Sequence, residues 1–252
     1  MLRTRVMPCL LLQQGALVKT VQFKNPGYIG DPINAVRIYN EKEVDELVFL
    51  DITATPAAHP PPWDTLREIA SECFMPVAYG GGVCSIEHIR EILRIGIEKV
   101  VINSYAIENP AFIRAAADQF GSQSIVVSMD VRHRLLGGYQ VYTRGGRKPT
   151  GLDPVAWAEQ AQSLGAGEIF LTSIDRDGTQ SGYDLDLLQR VCRAVDLPVI
   201  ASGGAGKLPD FADAVKAGAS ACAAGSMVVY FGRNRAVLIN FPTRQELEAV
   251  LS

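Results

Sequence analysis

Two glycine runs carry the first chemistry in this chain. Gly80-Gly81-Gly82 follows an apolar run and leads through Ser85 into a helix-period stretch, and Gly203-Gly204-Ala205-Gly206 repeats the arrangement. Glycine lets an anion approach the backbone closely, and bare N–H groups at a helix start attract it. The next apolar runs end in Asn103-Ser104 and Gly225-Ser226, which add side-chain and backbone donors. A glycine run alone also serves as a turn. Two runs at matching places, each with a second loop beside it, point to a ligand with a phosphate at each end. Asp51, Asn103, Asp130, Thr172 and Ser202 close apolar runs of their own. Asp130 follows Ile125-Val126-Val127-Ser128-Met129. It is either a cap for loop amides or a carboxylate held at a useful pKa for proton transfer, and its place at a strand end favours the second. Lys19, in Leu17-Val18-Lys19-Thr20, reads as a lysine in the loop after the first run, with a role only beside an anion. At the opposite ends of the runs stand Arg5, Glu46, Lys99 and Glu168. By pattern alone, two cations and two carboxylates there make a salt-bridged rim.

These residues need elements to hold them. Eight apolar runs cover residues 5–12, 46–52, 76–79, 99–103, 125–130, 168–172, 198–202 and 219–225. They do not alternate polar with apolar, so they read as parallel strands buried on both faces. Helix-period stretches cover 33–43, 62–72, 86–96, 110–120, 154–164, 186–195 and 208–217. Pro62, Pro110 and Pro154 sit near helix starts, and Gly96, Gly165 and Gly218 follow helices as caps would. Repeated β-α units over 252 residues predict an α/β fold, a (βα)8 TIM barrel formed by residues 1–252 as a single domain. A doubly wound open sheet is the alternative, but Gln13-Gln14-Gly15 after the first run lacks its G-x-G-x-x-G. Pro76-Val77-Ala78-Tyr79-Gly80-Gly81-Gly82 matches Pro198-Val199-Ile200-Ala201-Ser202-Gly203-Gly204, and Val48-Phe49-Leu50-Asp51 matches Ile169-Phe170-Leu171-Thr172. Both pairs lie about 120 residues apart, which divides the barrel into halves of roughly 1–121 and 122–252.

Composition narrows the functions. Hydrophobic residues make up 48%, charged residues 20%, and net charge is −3, which excludes a disordered chain. That charge gives no reason to expect nucleic acid or an anionic membrane as a partner. Cysteines at 9, 73, 84, 192 and 222 form no C-x-x-C pair, and His59, His88 and His133 fall in no ligand spacing. The expectation is reduced, mostly buried thiols with no metal and no cofactor. The N-terminus does not read as a signal peptide, and no run of about 20 apolar residues is present, so a cytoplasmic location is expected.

The motifs also carry a family resemblance over nearly the whole chain. Pro8-Cys9-Leu10, Gly30-Asp31-Pro32, Asp45-Glu46-Leu47-Val48-Phe49-Leu50-Asp51-Ile52, Gly80-Gly81-Gly82, Val101-Ile102-Asn103-Ser104, Phe120-Gly121-Ser122-Gln123, Lys148-Pro149-Thr150-Gly151, the run from Leu171 to Thr179 and Ala201-Ser202-Gly203-Gly204-Ala205-Gly206 resemble the cyclase subunit of imidazole glycerol phosphate synthase. That family is a (βα)8 barrel of the ribulose-phosphate-binding type. It pairs with a glutaminase whose ammonia enters through the barrel bottom and reacts at the top with a bis-phosphorylated substrate. The resemblance implies phosphate sites at Gly82, Asn103 and Ser104, and at Asp177, Gly178, Gly204, Gly225 and Ser226. Lys19, Asp51, Thr172 and Ser202 join them as substrate-site residues. It turns Arg5, Glu46, Lys99 and Glu168 from a rim into an ammonia gate. It sets Glu98 and Gln123 near the glutaminase docking face, and matches Asp130 to one of two catalytic aspartates.

The second aspartate is missing, because Pro8-Cys9-Leu10-Leu11 stands where the family has Pro-Cys-Leu-Asp. Leucine transfers no proton, and loss of such a group costs on the order of 10²–10⁴ in rate. Pro8-Cys9-Leu10-Leu11-Leu12, residues 18–24, 33–36 and 41–46, Glu72-Cys73-Phe74-Met75-Pro76 and 235–239 look like a paralogous branch associated with acetamidino modification of surface sugars. There the barrel works with a glutaminase-like subunit and a separate amidotransferase on a nucleotide-linked sugar destined for lipopolysaccharide or other glycans. Three readings follow: ammonia delivery for amidino-sugar formation, a true histidine-pathway cyclase using Asp130 alone or with Asp51, and a non-catalytic scaffold that activates its glutaminase.

Overall fold

The computed structural model describes residues 4–134, 137–232 and 234–251. Eight strands form the barrel: β1 (Arg5–Gln13), β2 (Leu47–Asp51), β3 (Val77–Gly80), β4 (Lys99–Ile102), β5 (Ile125–His133), β6 (Glu168–Ser173), β7 (Val199–Ser202) and β8 (Ala221–Ala224). Each is parallel to both neighbours, and β8 pairs back on β1, so the ring is closed. Around it lie α1 (Pro32–Glu41), α2 (Trp63–Glu72), α3 (Ile86–Ile95), α4 (Ala111–Phe120), α5 (Pro154–Ser163), α6 (Leu185–Ala194), α7 (Leu208–Lys216) and α8 (Arg244–Leu251). The expected (βα)8 barrel is the fold observed.

Local chemistry explains where the helices begin. Asp31 Oδ1 accepts from Asn34 N at 3.0 Å before Pro32 opens α1, and Ser85 Oγ accepts from His88 N at 3.1 Å at the start of α3. Asp153 does the same for α5 and Asp184 for α6. Each satisfies an orphan helix N–H, worth about 1 kcal/mol. Gly96 and Gly218 end α3 and the α7 turn at φ +109° and +110°, a left-handed conformation that favours glycine.

Alternation along each strand divides the core. On β1, Val6, Leu10 and Leu12 pack outward against the helices, while Met7 and Cys9 point inward. The interior is filled by Met7, Cys9, Val48, Ala78, Val101, Val126, Phe170, Ile200, Ala221 and Ala223, with one large ring opposed to three alanines. This plug lies between a charged layer at the strand starts and an open mouth at the strand ends.

The structure adds elements that the apolar runs did not reveal. A hairpin, Ala16–Val21 with Lys24–Gly30, follows β1, and a second, Tyr139–Thr143 with Lys148–Pro149, follows β5. The first turns at Gln22 and Phe23, both with positive φ (+52° and +62°), without the glycine or asparagine that usually marks such a turn. Lys19 therefore belongs to a strand and not to a loop, and it is buried rather than solvated. The helix α8 also lay outside the expected set. Thr243 and Glu246 bond each other reciprocally at its start, a capping box legible in the sequence. The thiols are free, but only Cys9 and Cys222 are buried; Cys73 and Cys192 are half-buried and Cys84 is exposed. Among the described residues no helix is long and apolar enough to cross a membrane.

Candidate functional site

The strand C-termini and their loops enclose one cleft. Leu11, Lys19, Asp51, Gly82, Asn103, Ser104, Asp130, Thr172, Asp177, Gly178, Ser202, Gly204, Gly225 and Ser226 all line it. Every mouth residue singled out in the sequence is thus brought to one place.

On the β3–β5 side, Asn103 Nδ2 donates to Asp130 Oδ2 at 3.0 Å, and Ser104 Oγ donates to Asn103 Oδ1 at 3.3 Å. Ser104 Oγ in turn accepts from Arg144 N at 2.9 Å, which seats the tip of the second hairpin on this side. Gly82 N donates to Thr55 Oγ1 at 3.2 Å. On the far side, Lys19 Nζ donates to the Cys9 carbonyl at 3.3 Å and lies where a side chain on Gly225 would begin. Lys19 has no carboxylate within ion-pair distance among the described residues. Ser226 Oγ is buried with no hydrogen-bond partner there. An unpaired lysine beside an unsatisfied hydroxyl is a setting that an anion would complete.

Two carboxylates that line the cleft also hold its loops in place. Asp51 Oδ1 accepts from Thr53 N (2.8 Å), Thr53 Oγ1 (2.7 Å) and Ala54 N (3.0 Å), capping the short helix Ala54–Ala57. Asp177 Oδ2 accepts from Thr20 Oγ1 at 2.8 Å, and its carbonyl accepts from Gln22 N at 2.8 Å. Asp177 therefore fastens the first hairpin to the loop after β6.

Sequence reasoning missed Phe23 and Arg147, both of which line the cleft. Phe23 packs where a Cβ on Gly146 would fall, so the two hairpin tips meet over the mouth. The available signal was the basic, glycine-rich tip Arg144-Gly145-Gly146-Arg147, flanked by residues alternating buried and half-buried in Tyr139–Thr143.

Asp130 and Leu11 occupy β5 and β1, on opposite sides of the eight-strand ring. Burial, reinforced by the charge of Asp177, pushes the Asp130 carboxyl up to about 7; the Asn103 bond partly offsets this. Such a group can take or give a proton near neutral pH. It also costs stability. Unfolded, an aspartate ionises near pH 4; folded, Asp130 holds its proton to about 7. Stability contributed at this site therefore falls as pH rises from about 4 to 7. Asp130→Asn is expected to stabilise the protein by about 1–3 kcal/mol more at pH 8 than at pH 5, measured by urea unfolding. A gain that does not change with pH would contradict this.

The opposite end carries the four charged residues as one network. Arg5 pairs with Glu46 and with Glu168 (2.6 Å), and Lys99 pairs with Glu46 and Glu168, each at 3.1 Å. Cations and carboxylates alternate across the barrel axis, and Glu46 is only 2% exposed. Glu98 and Gln123 are exposed on the loops before β4 and β5, at this same end.

A closed (βα)8 barrel with glycine loops and a titratable carboxylate at its strand C-termini has the layout of a barrel enzyme. The chain belongs to the histidine biosynthesis protein family, whose model matches residues 5–234. It is 49% identical over 249 residues to a Pseudomonas aeruginosa protein provisionally named imidazole glycerol phosphate synthase subunit hisF2, covering 98% of this chain and 99% of that one. It is 48% identical over 231 residues to the imidazole glycerol phosphate synthase subunit HisF of Alkaliphilus metalliredigens, covering 91% and 92%. A provisionally named HisF of Leptospira interrogans is 46% identical over 252 residues, covering 99% of each chain.

Proposed function

We propose that this chain is a cyclase-type barrel subunit of imidazole glycerol phosphate synthase kind that receives ammonia from a glutaminase and passes it on instead of closing an imidazole ring. The observation that carries this is an intact four-residue charged layer at one end of the barrel with Leu11 at the other. Ring closure needs several proton transfers, and two carboxylates on opposite sides of the mouth divide them. Asp130 alone leaves one side without a proton carrier.

In this reading Arg5, Glu46, Lys99 and Glu168 form the gate, and a glutaminase docks over it beside Glu98 and Gln123. The mouth keeps its two phosphate cradles, one at Gly82, Asn103 and Ser104, the other at Gly178, Gly204, Gly225 and Ser226 with Lys19. They hold a phosphorylated substrate or effector. The nitrogen acceptor is a nucleotide-linked surface sugar that gains an acetamidino group on a separate amidotransferase. Val21 and Tyr28 on the hairpin after β1, and Phe231, Val237 and Leu238 on and just beyond the pairing of Tyr230–Phe231 with Ala236–Val237 that follows β8, stand exposed and offer that enzyme an apolar seat.

Gly225→Ala tests the second cradle. The new methyl meets the end of Lys19 rather than backbone, so the fold survives while the cation moves. The Kd for inorganic phosphate is expected to rise about tenfold by calorimetric titration, with little change in Tm. The function is tested by supplying the purified chain with ammonium salt and the histidine-pathway bis-phosphate. No turnover is expected. A rate of roughly 1 s⁻¹ or more, typical of a working enzyme, would overturn the reading in favour of a histidine-pathway cyclase.

A further inference from the structure

One side chain stands apart from all others at the gate end. Phe74 is 89% exposed, the most exposed large hydrophobic residue described and the single one among them on a loop before a barrel strand. Its loop is held firmly. Phe74 N donates to Asn40 Oδ1 at 3.1 Å, Asn40 Nδ2 donates to the Glu72 carbonyl at 2.7 Å, and Arg37 forks onto the Glu72 carboxylate at 3.2 Å. Two residues of α1, Arg37 and Asn40, thus fix the backbone that presents the ring. The loop also adjoins the gate. Pro76, two residues on, accepts from Leu47 N at 2.9 Å, directly after Glu46. On the other flank, Glu98 N donates to the Val77 carbonyl at 3.0 Å, directly before Lys99.

We infer that Phe74 is the anchor by which the gate end grips its glutaminase, inserting into an apolar pocket on that subunit. This rests on the glutaminase partnership proposed above. A solvated phenylalanine on a fixed loop has lost its backbone freedom before binding, so ring burial is not offset by ordering the loop. Aromatic anchors of this kind dominate interface energies. Glu43 and Glu98 are exposed on the loops before β2 and β4, the strands flanking β3. A glutaminase without that pocket is excluded, so Phe74 also selects which glutaminase the barrel accepts.

The test is calorimetric titration of the full chain with a purified glutaminase subunit of imidazole glycerol phosphate synthase type from the same organism. Phe74→Ala is expected to raise Kd about 30-fold, and Phe74→Leu to recover most of the loss. Tyr28→Ala, at an exposed aromatic of the opposite end, is expected to leave Kd unchanged. Both rings are solvated, so the variants keep the wild-type Tm. A Kd for Phe74→Ala within twofold of wild type overturns the anchor and leaves the partnership standing. Absence of a wild-type complex removes both.

Discussion

Leu11→Asp is expected to raise ammonium-dependent cyclisation of the histidine-pathway bis-phosphate by 10² or more over an inert wild type, on the order of what one general acid or base contributes. Leu11 is 8% exposed and lines the mouth from β1, across the ring from Asp130. A carboxylate there restores proton transfer on the side that lacks it. The two acids are also expected to influence one another. Asp130 already holds its proton to about 7, so it serves as the acid while the new aspartate serves as the base, and the pH–rate profile becomes bell-shaped. The substitution has a structural penalty, since a carboxylate replaces a nearly buried methyl pair, costing about 1–3 kcal/mol in urea unfolding. A variant that folds, binds phosphate and still fails to cyclise would show that the departure from cyclase chemistry extends beyond Leu11.

The second large effect is expected at the gate. In the Leu11→Asp background, Lys99→Trp should abolish glutamine-dependent cyclisation while leaving ammonium-dependent cyclisation within severalfold of its parent. Lys99 Nζ bridges Glu46 and Glu168 from strand β4, and both carboxylates also meet Arg5. An indole at that position fills the space between the strands and leaves two carboxylates to one guanidinium. Removing one partner from a part-buried network costs about 3 kcal/mol or more. The ammonium-dependent rate is therefore the control for folding, because external ammonia reaches the mouth without crossing the gate. Equal loss of both rates would mean a damaged barrel, and equal retention of both would mean that ammonia does not pass between these residues.

Much of this molecule is legible because its determinants are local. The eight apolar runs coincide with the barrel strands to within three residues at each end, since a strand buried on both faces admits little else. Asp31, Ser85, Asp153 and Asp184 cap helices through their own side chains. The hairpins are not legible because Lys24–Gly30 and Lys148–Pro149 are largely exposed and carry no apolar run, and the Gln22-Phe23 turn lacks a glycine. Lys19 consequently has the sequence surroundings of a loop residue, and Phe23 and Arg147 belong to no motif.

By itself the sequence determined the closed parallel barrel, the side of it on which polar strand ends gather, the family, and the leucine at position 11. These depend on residue type and spacing along the chain. Only the tertiary structure decided the pairing of four charges, from β1, β4, β6 and the residue just before β2, into one layer, the raised carboxyl of Asp130, and the seating of Lys19 against Gly225. It also decided that Asp177 holds a hairpin and that Phe74 points into solvent beside the gate. The physical reason is that charge, burial and accessibility are set by neighbours far apart in sequence, which barrel closure brings together.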